Sequence, residues 1–374
     1  MLCIGSTKVL EISPPRAVYC NGFGADCEPN PATTAKQPPD HHMPESPRSP
    51  PPATPERLAA ASARLRALET QINRAVLGQR QVIRELIVAM VAAGHVLLEG
   101  LPGVGKTLLV RAMAQAIGGH YSRIQFTPDL MPSDVTGHAI FDMQTEQFHI
   151  RRGPVFCNLL LGDEINRAPA KTQAAMLEAM QERQVTIEGK PLPLEPPFLV
   201  MATQNPIEQE GTYPLPQAQL DRFLIKALIG YPGKDDEQAL VRQITDGAVG
   251  DGLDLSRVQR VIKPDAILEI QAIAASLTID DSILDYAVRM VRATREWQGI
   301  DSGAGPRASI ALVRTARAQA LLNGNDFVTP GDVKAVAHAV LRHRIKLGVD
   351  LEIEGYSTDD VLAELLANVA APRT

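Results

Sequence analysis

Aromatic residues are scarce in this 374-residue chain: Phe, Tyr and Trp together make up 4%, with a single Trp. The bases of a nucleic acid would find little to stack on. Cysteine is scarcer still. Cys3, Cys20, Cys27 and Cys157 are the four, and none forms a CxxC pair or has a histidine at metal-ligand spacing. Neither a disulfide framework nor a structural zinc site is expected. Excess charge of one sign is also missing, since a net charge of -6 and a pI near 5.8 give no global pull toward nucleic acid or anionic membrane. The longest apolar run, LIVAMVAAGHVLL (Leu86–Leu98), is short for a membrane span and carries Gly94 and His95. It reads as a helix end followed by a buried strand. No compact apolar segment of the secretory type stands near Met1, so a cytoplasmic protein with no integral membrane segment is expected.

What is present suffices for two globular cores, with 45% hydrophobic and 21% charged residues. Residues 1–55 are set apart by Pro14, Pro15, Pro38, Pro39 and the run Pro50–Pro52, with no sustained apolar period. Such a segment cannot bury enough surface to offset its ordering entropy, and it reads as a disordered extension. From residue 56 to 232 apolar strands alternate with helices. HVLLEG (His95–Gly100), FCNLLLGDE (Phe156–Glu164), FLVMAT (Phe198–Thr203) and FLIKALIG (Phe223–Gly230) read as strands. Helices are expected to open at Gly105 and at Pro169, the latter in the N1 position. The alternation predicts an α/β fold with a parallel sheet covered on both faces. Two polar stretches, His138–Gly153 and Gln184–Leu194, read as hairpins. Residues 233–374 read as a mainly helical second domain, with helices around 235–244, 265–274, 281–297, 306–322 and 330–346. VTPGDV (Val328–Val333) supplies the last of these with Thr329 as N-cap and Pro330 at N1.

GLPGVGKT (Gly100–Thr107) has the spacing G-x-x-x-x-G-K-[ST] at a strand-to-helix junction. Glycines let the backbone curl so that successive N–H groups point at phosphate, and the helix N-terminus adds positive potential. Lys106 reaches β- and γ-phosphates, and the Thr107 hydroxyl suits magnesium. The nucleotide-binding candidates are Gly100, Pro102, Gly103, Val104, Gly105, Lys106, Thr107 and Leu108. In LLLGDE, Asp163 emerges at the C-terminal end of a buried strand, where open α/β sheets place ligands. It is the second Mg2+ candidate, and Glu164 is placed to orient the attacking water. Asn205 in MATQNP suits either a bridge between γ-phosphate and water or a turn before Pro206. Arg307 in GAGPRAS falls in a first helical turn, where the dipole disfavours cations. It calls for an anion, either a phosphate or a nearby carboxylate.

These motifs resemble the AAA+ ATPases, and within them the MoxR family. The likeness covers roughly Leu58–Ala370 and rests on FTPDLMPSDVTG (Phe126–Gly137), GDEINRAPAKTQAAMLEAMQERQVTIEG (Gly162–Gly189) and ATQNPIEQEGTYPLPQAQLDRF (Ala202–Phe223). The resemblance implies an αβα sandwich with a central parallel sheet and a C-terminal helical lid. It also implies ATP and Mg2+ as ligands and assembly as a homo-oligomeric ring, usually a hexamer. By the same carry-over Arg222 in LDRF looks like an arginine finger serving a neighbour's ATP, Asn205 like the sensor 1 residue and Arg307 like the sensor 2 arginine of the lid. The two hairpins look like the helix-2 insert and the pre-sensor-1 insert. Gly162 departs from the pattern, which more often has Ala before the acidic pair, and the Pro-rich extension lies outside it.

The implied function is a chaperone-like ATPase that remodels or matures partner proteins, with a von Willebrand factor A (VWA) domain protein and a client as partners. Three alternatives stand beside it: the motor subunit of a metal chelatase, a nucleic-acid motor, and a non-catalytic switch that responds to ATP. LRHRIK (Leu341–Lys346) reads as the basic end of a helix that could meet nucleic-acid phosphate. Cations at a helix C-terminus are, however, ordinary dipole complements.

Overall fold

The computed structural model describes residues 54–205, 212–245, 255 and 257–372. The expectation of disorder for residues 1–55 therefore falls outside the described residues except at its end. There Thr54 caps the first helix and Pro55 opens it.

That helix, α1 (Pro55–Ala75), buries Leu65, Leu68 and Ile72 along one stripe. After α2 (Arg80–Val91) the chain enters the alternating region. Its elements are β1 (Val96–Gly100), α3 (Lys106–Ile117), β2 (Tyr121–Gln125), the short α4 (Pro132–Thr136) and the hairpin β3 (Gly137–Asp142) with β4 (Gln147–Arg152). Then come β5 (Leu159–Asp163), α5 (Ala170–Glu182), the hairpin β6 (Gln184–Ile187) with β7 (Lys190–Pro193), β8 (Leu199–Gln204), α6 (Gln217–Leu220) and β9 (Ile225–Ile229). Strands β2, β5, β8, β1 and β9 form one sheet in that order, every neighbouring pair parallel.

Side chains alternate across this sheet with the two-residue period of a strand. Val96, Leu98, Leu159, Leu161 and Met201 face one core, and Leu97, Leu160, Val200 and Ala202 face the other. Each Val, Leu or Met side chain among these, fully removed from water, contributes about 1.5–3 kcal/mol. The second core is closed by α5 and the base of the β6–β7 hairpin, through Met176, Leu177, Met180, Val185 and Ile187.

The first core continues into the C-terminal helices. These are α7 (Lys234–Thr245), α8 (Pro264–Ser276), α9 (Asp281–Glu296), α10 (Pro306–Asn323), α11 (Pro330–Leu341), α12 (Val349–Ile353) and α13 (Thr358–Asn368). A small antiparallel pair joins them, β10 (Ile300–Ser302) with β11 (Lys346–Leu347). Ile267, Ile270, Tyr286, Leu312, Leu321, Val333 and Leu365 pack in the same cluster as Leu65, Ile83 and Leu109.

Three local expectations need correction. Pro169 is the N-cap of α5, with an extended backbone at ψ 152, rather than its first residue. The helix expected over 330–346 stops at Leu341 because the next turn folds back onto β9, burying His343 and Arg344. The edge strand β2 escaped the pattern, since in YSRIQ only Ile124 is buried. Among the described residues no helix is long and apolar enough to cross a membrane.

Candidate active site

At Gly100 the end of β1 comes so close to β9 that a Cβ would lie 2.3 Å from Ile229 Cγ2 and 2.4 Å from Ile229 O. The chain then curls through Gly103 and Gly105, at φ +82 and +86, a region only glycine enters freely. The space where their side chains would stand is open. Helix α3 opens on Gly105 with no side-chain cap, so the first-turn N–H groups of Lys106, Thr107 and Leu108 have no intrahelical acceptor. Lys106 Nζ folds across the loop to donate to Gly100 O at 2.7 Å. An uncapped helix start below an empty backbone cradle, beside an ammonium group, fits a phosphate chain.

Asp163 ends β5 as a largely buried carboxylate. Its Oδ1 accepts from Thr203 Oγ1 at 2.6 Å and its Oδ2 from Arg123 Nη2 at 2.6 Å. Thr203 Oγ1 in turn accepts from Glu164 N at 2.9 Å, locking the turn that follows β5. Glu164 itself adopts the left-handed region, φ 58 and ψ 50, which is costly for a residue with a side chain and is held here by the Thr203 contact. Its Oε2 accepts from Gln125 Nε2 at 2.8 Å and sits 3.1 Å from Arg167 Nε. Arg123 also donates to Gln125 Oε1 at 2.9 Å. The acidic pair is thus held by the polar face of β2.

Asn205 follows β8, is buried, and lies one strand from each of these features, because β8 stands between β5 and β1. The structure therefore brings the Gly100–Leu108 loop, Asp163, Glu164 and Asn205 to adjoining strand ends on one edge of the sheet. The oxygen pair Thr107 and Asp163 suits a hard cation such as Mg2+, with Arg123 sharing the Asp163 carboxylate. Among the described residues no cluster of three or more His, Cys, Asp or Glu could hold a metal ion.

Arg222 and Arg307 lie elsewhere. Arg222 precedes β9, whose first residue, Ile225, pairs with Val96, the first residue of β1. It sits at the strand-starting edge, and the length of β1 separates it from the phosphate loop by about 16 Å at ~3.3 Å per residue. Both arginines line a cavity of about 290 Å³ at that edge, with Arg183, Asp221, Arg314 and Arg344. Arg307 Nη1 is 3.7 Å from Asp221 Oδ2, and Arg344 Nε donates to Asp221 Oδ1 at 2.8 Å. Of the two anions the sequence left open for Arg307, a carboxylate is the one at hand within the chain.

Sequence reasoning missed Arg123, Gln125, Thr203, Asp221 and Arg344. A signal existed for the first two: Tyr121, Arg123 and Gln125 alternate with Ser122 and Ile124 as one face of a strand would. None existed for Arg344, because burial of an arginine is a tertiary fact.

A five-stranded parallel sheet with a phosphate loop after β1, an acidic pair after β5, a polar residue after β8 and a helical lid is the arrangement of an AAA+ ATPase. The profile of the ATPase family associated with various cellular activities (AAA) matches residues 95–225, and that of the AAA lid domain matches residues 292–365. Chaperone MoxR1 of Mycobacterium tuberculosis is 43% identical, over 90% of each chain. Protein MoxR of Methylorubrum extorquens is 32% identical over 81% of this chain and 94% of that one. The crystal structure of a candidate ATPase from Cytophaga hutchinsonii superposes with a TM-score of 0.77 at 40% identity, covering 85% of this chain and 98% of the other. This chain belongs to the MoxR family of AAA+ ATPases, nucleotide-binding enzymes that hydrolyse ATP.

Proposed function

We propose that the chain is the subunit of a homo-oligomeric ring, a hexamer by family likeness, that hydrolyses ATP at sites completed across subunit boundaries and uses the cycle to remodel partner proteins. The observation that carries this reading is the position of Arg222 and Arg307 on the strand-starting edge, about 16 Å along β1 from the chain's own phosphate loop. At that distance neither guanidinium serves its own ATP, whereas a neighbour's phosphates could enter the cavity they line.

In this mechanism Lys106 and the N-terminus of α3 bind the phosphate chain. Glu164 accepts a hydrogen bond from the attacking water and orients it toward the γ-phosphorus, while Asn205 bridges water and γ-phosphate. Arg222 and Arg307 of the adjoining subunit neutralise charge that grows on the transferring group, an effect of about 10³–10⁵ in rate for such fingers. Thr107 and Asp163 would hold Mg2+, which screens the β- and γ-oxygens when bound.

The MoxR name and the chaperone designation of the mycobacterial relative support a remodelling role, and the family likeness points to a VWA-domain protein and a client as partners in the cytoplasm. Burial of Arg344 within the chain leaves LRHRIK fewer cations to offer nucleic-acid phosphate, which favours the remodelling reading over the nucleic-acid one.

Mixing Lys106→Ala with Arg222→Ala protein tests the reading. Each alone should be nearly inactive, and mixed rings should recover part of the activity, because some interfaces pair an intact loop with an intact finger. Mixed rings that stay inactive would overturn the trans assignment.

A further inference from the structure

We infer that Arg183 is a further catalytic residue, acting beside Arg222 on the neighbouring subunit's ATP. The inference rests on the trans reading above and adds a residue that no motif marks.

Its position follows from α5. That helix starts near the acidic pair and runs back across the sheet. Its last turn is pinned to the start of β1 because His95 Nε2 donates to Met180 O at 3.0 Å, while His95 Nδ1 accepts from Val200 N at 3.0 Å. Arg183, the C-cap of α5, is thereby fixed at the same edge as Arg222 and lines the same cavity.

The backbone there is left-handed, φ 51 and ψ 30. Glycine is the usual occupant of such a cap, and a residue with a Cβ is disfavoured there relative to it. The side chain returns nothing to the fold to offset that cost. Although the backbone carbonyl accepts from Leu194 N at 2.9 Å and closes the hairpin base, the guanidinium has no hydrogen-bond or ion-pair partner among the described residues.

The neighbouring guanidiniums are differently placed. Arg344 and Arg307 share Asp221, and Arg314 donates to the carbonyls of Ala92 and Ala93. Arg183 and Arg222 are the two of these five whose guanidiniums have no hydrogen-bond or ion-pair partner among the described residues. Asp221 is the one carboxylate lining a cavity that five arginines line, and His95 is held neutral by burial, its pKa lowered to about 4. One carboxylate offsets only part of the repulsion among these cations, and a polyanion entering from outside would offset the rest. A triphosphate at a subunit boundary is such a group, and guanidinium forks match phosphate oxygens two at a time. The role proposed for Arg183 is to neutralise charge, with no proton transfer.

Arg183→Gly separates a catalytic role from a structural one, because glycine suits the left-handed cap. The variant should keep or raise Tm and keep its assembly state by light scattering, while kcat falls tenfold or more. Arg183→Asn, also tolerant of the left-handed region, serves if the glycine variant assembles poorly, and Arg183→Lys should recover part of the rate. Mixing then assigns the side. Arg183→Gly with Lys106→Ala should recover activity, and Arg183→Gly with Arg222→Ala should not, since both would lack the same half of the site. An unchanged kcat in assembled Arg183→Gly would overturn the proposal, as would recovery in the mixture with Arg222→Ala, which would place Arg183 at its own subunit's ATP. Failure of the trans reading itself would show separately, as absence of recovery between Lys106→Ala and Arg222→Ala.

Discussion

Arg344 donates from Nε to Asp221 Oδ1 at 2.8 Å, with its side chain 3% exposed. The same guanidinium reaches Phe223 O at 2.6 Å and Leu224 O at 3.0 Å, and it also donates to Val340 O. His343 Nε2 adds a second donor to Phe223 O at 3.0 Å. Arg222 is therefore held on both sides by a turn that belongs to the lid. A displacement of that turn would carry Arg222 with it, so the lid sets the position of the side chain to which the proposed function gives a neighbour's ATP.

Replacing Arg344 by Met should remove the grip at a measurable cost. Asp221 would keep only the longer Arg307 contact and Phe223 O only His343, while Leu224 O and Val340 O would lose this donor. Breaking such a largely buried pair costs up to about 3–5 kcal/mol. Urea denaturation should show a clear fall in midpoint. Arg344→Lys retains the charge but not the fork, and should fall between the two. A midpoint within experimental error of the parent would show that the turn is held by its apolar packing instead.

Gln125 offers a second handle, on rate rather than stability. It donates to Glu164 Oε2, the oxygen that Arg167 also approaches. A carboxylate engaged this way must loosen its hold on these donors to orient water, and a hydrogen bond to a charged group is worth about 1.5–3 kcal/mol. With Arg167 still in place, Gln125→Ala should raise the ATPase rate of the assembled protein about threefold to tenfold, with nucleotide affinity unchanged. A slower variant would mean that Gln125 aims Glu164 rather than restrains it.

Much of this site was legible before any coordinates, and the parts that were not share a cause. The phosphate loop, the acidic pair and Asn205 follow buried strands whose apolar runs announce them, so their convergence on one edge follows from the parallel order of the sheet. Arg307 was readable as a residue that needs an anion, but its proximity to Asp221 depends on how the lid docks. LRHRIK misled because a basic helix end and a buried clamp look alike in sequence. The conformation decides, and here α11 stops at Leu341 so that Arg344 can turn inward. Gly162 stood out in the sequence only as a departure from the family pattern, which more often has Ala there. The structure instead fills the space with Phe126, whose Cε2 would stand 3.0 Å from an added Cβ. The missing methyl and the buried ring belong to the same packing solution.

The two buried histidines give the fold a pH dependence of definite sign. Burial pushes His95 down from 6.5 to about 4, and burial together with the Arg344 charge pushes His343 down as well. The unfolded chain takes up the His95 proton near pH 6.5 and the folded chain only near 4. Stability is therefore full above pH 6.5 and falls as pH drops toward 4, by about 3 kcal/mol for His95 alone. Glu85 works against this trend, since burial raises its pKa and its protonation favours the folded form as pH falls. A single pH profile would mix these contributions, so the comparison that isolates His95 is between the parent and His95→Gln, each unfolded in urea at pH 7.5, 6 and 5. The variant should be less stable at pH 7.5, because Val200 N and Met180 O lose well-placed partners. It should also lose stability less steeply between pH 6.5 and 5. Equal slopes in the two proteins would mean that the folded chain protonates His95 in place, and that its burial carries no penalty for the charged ring.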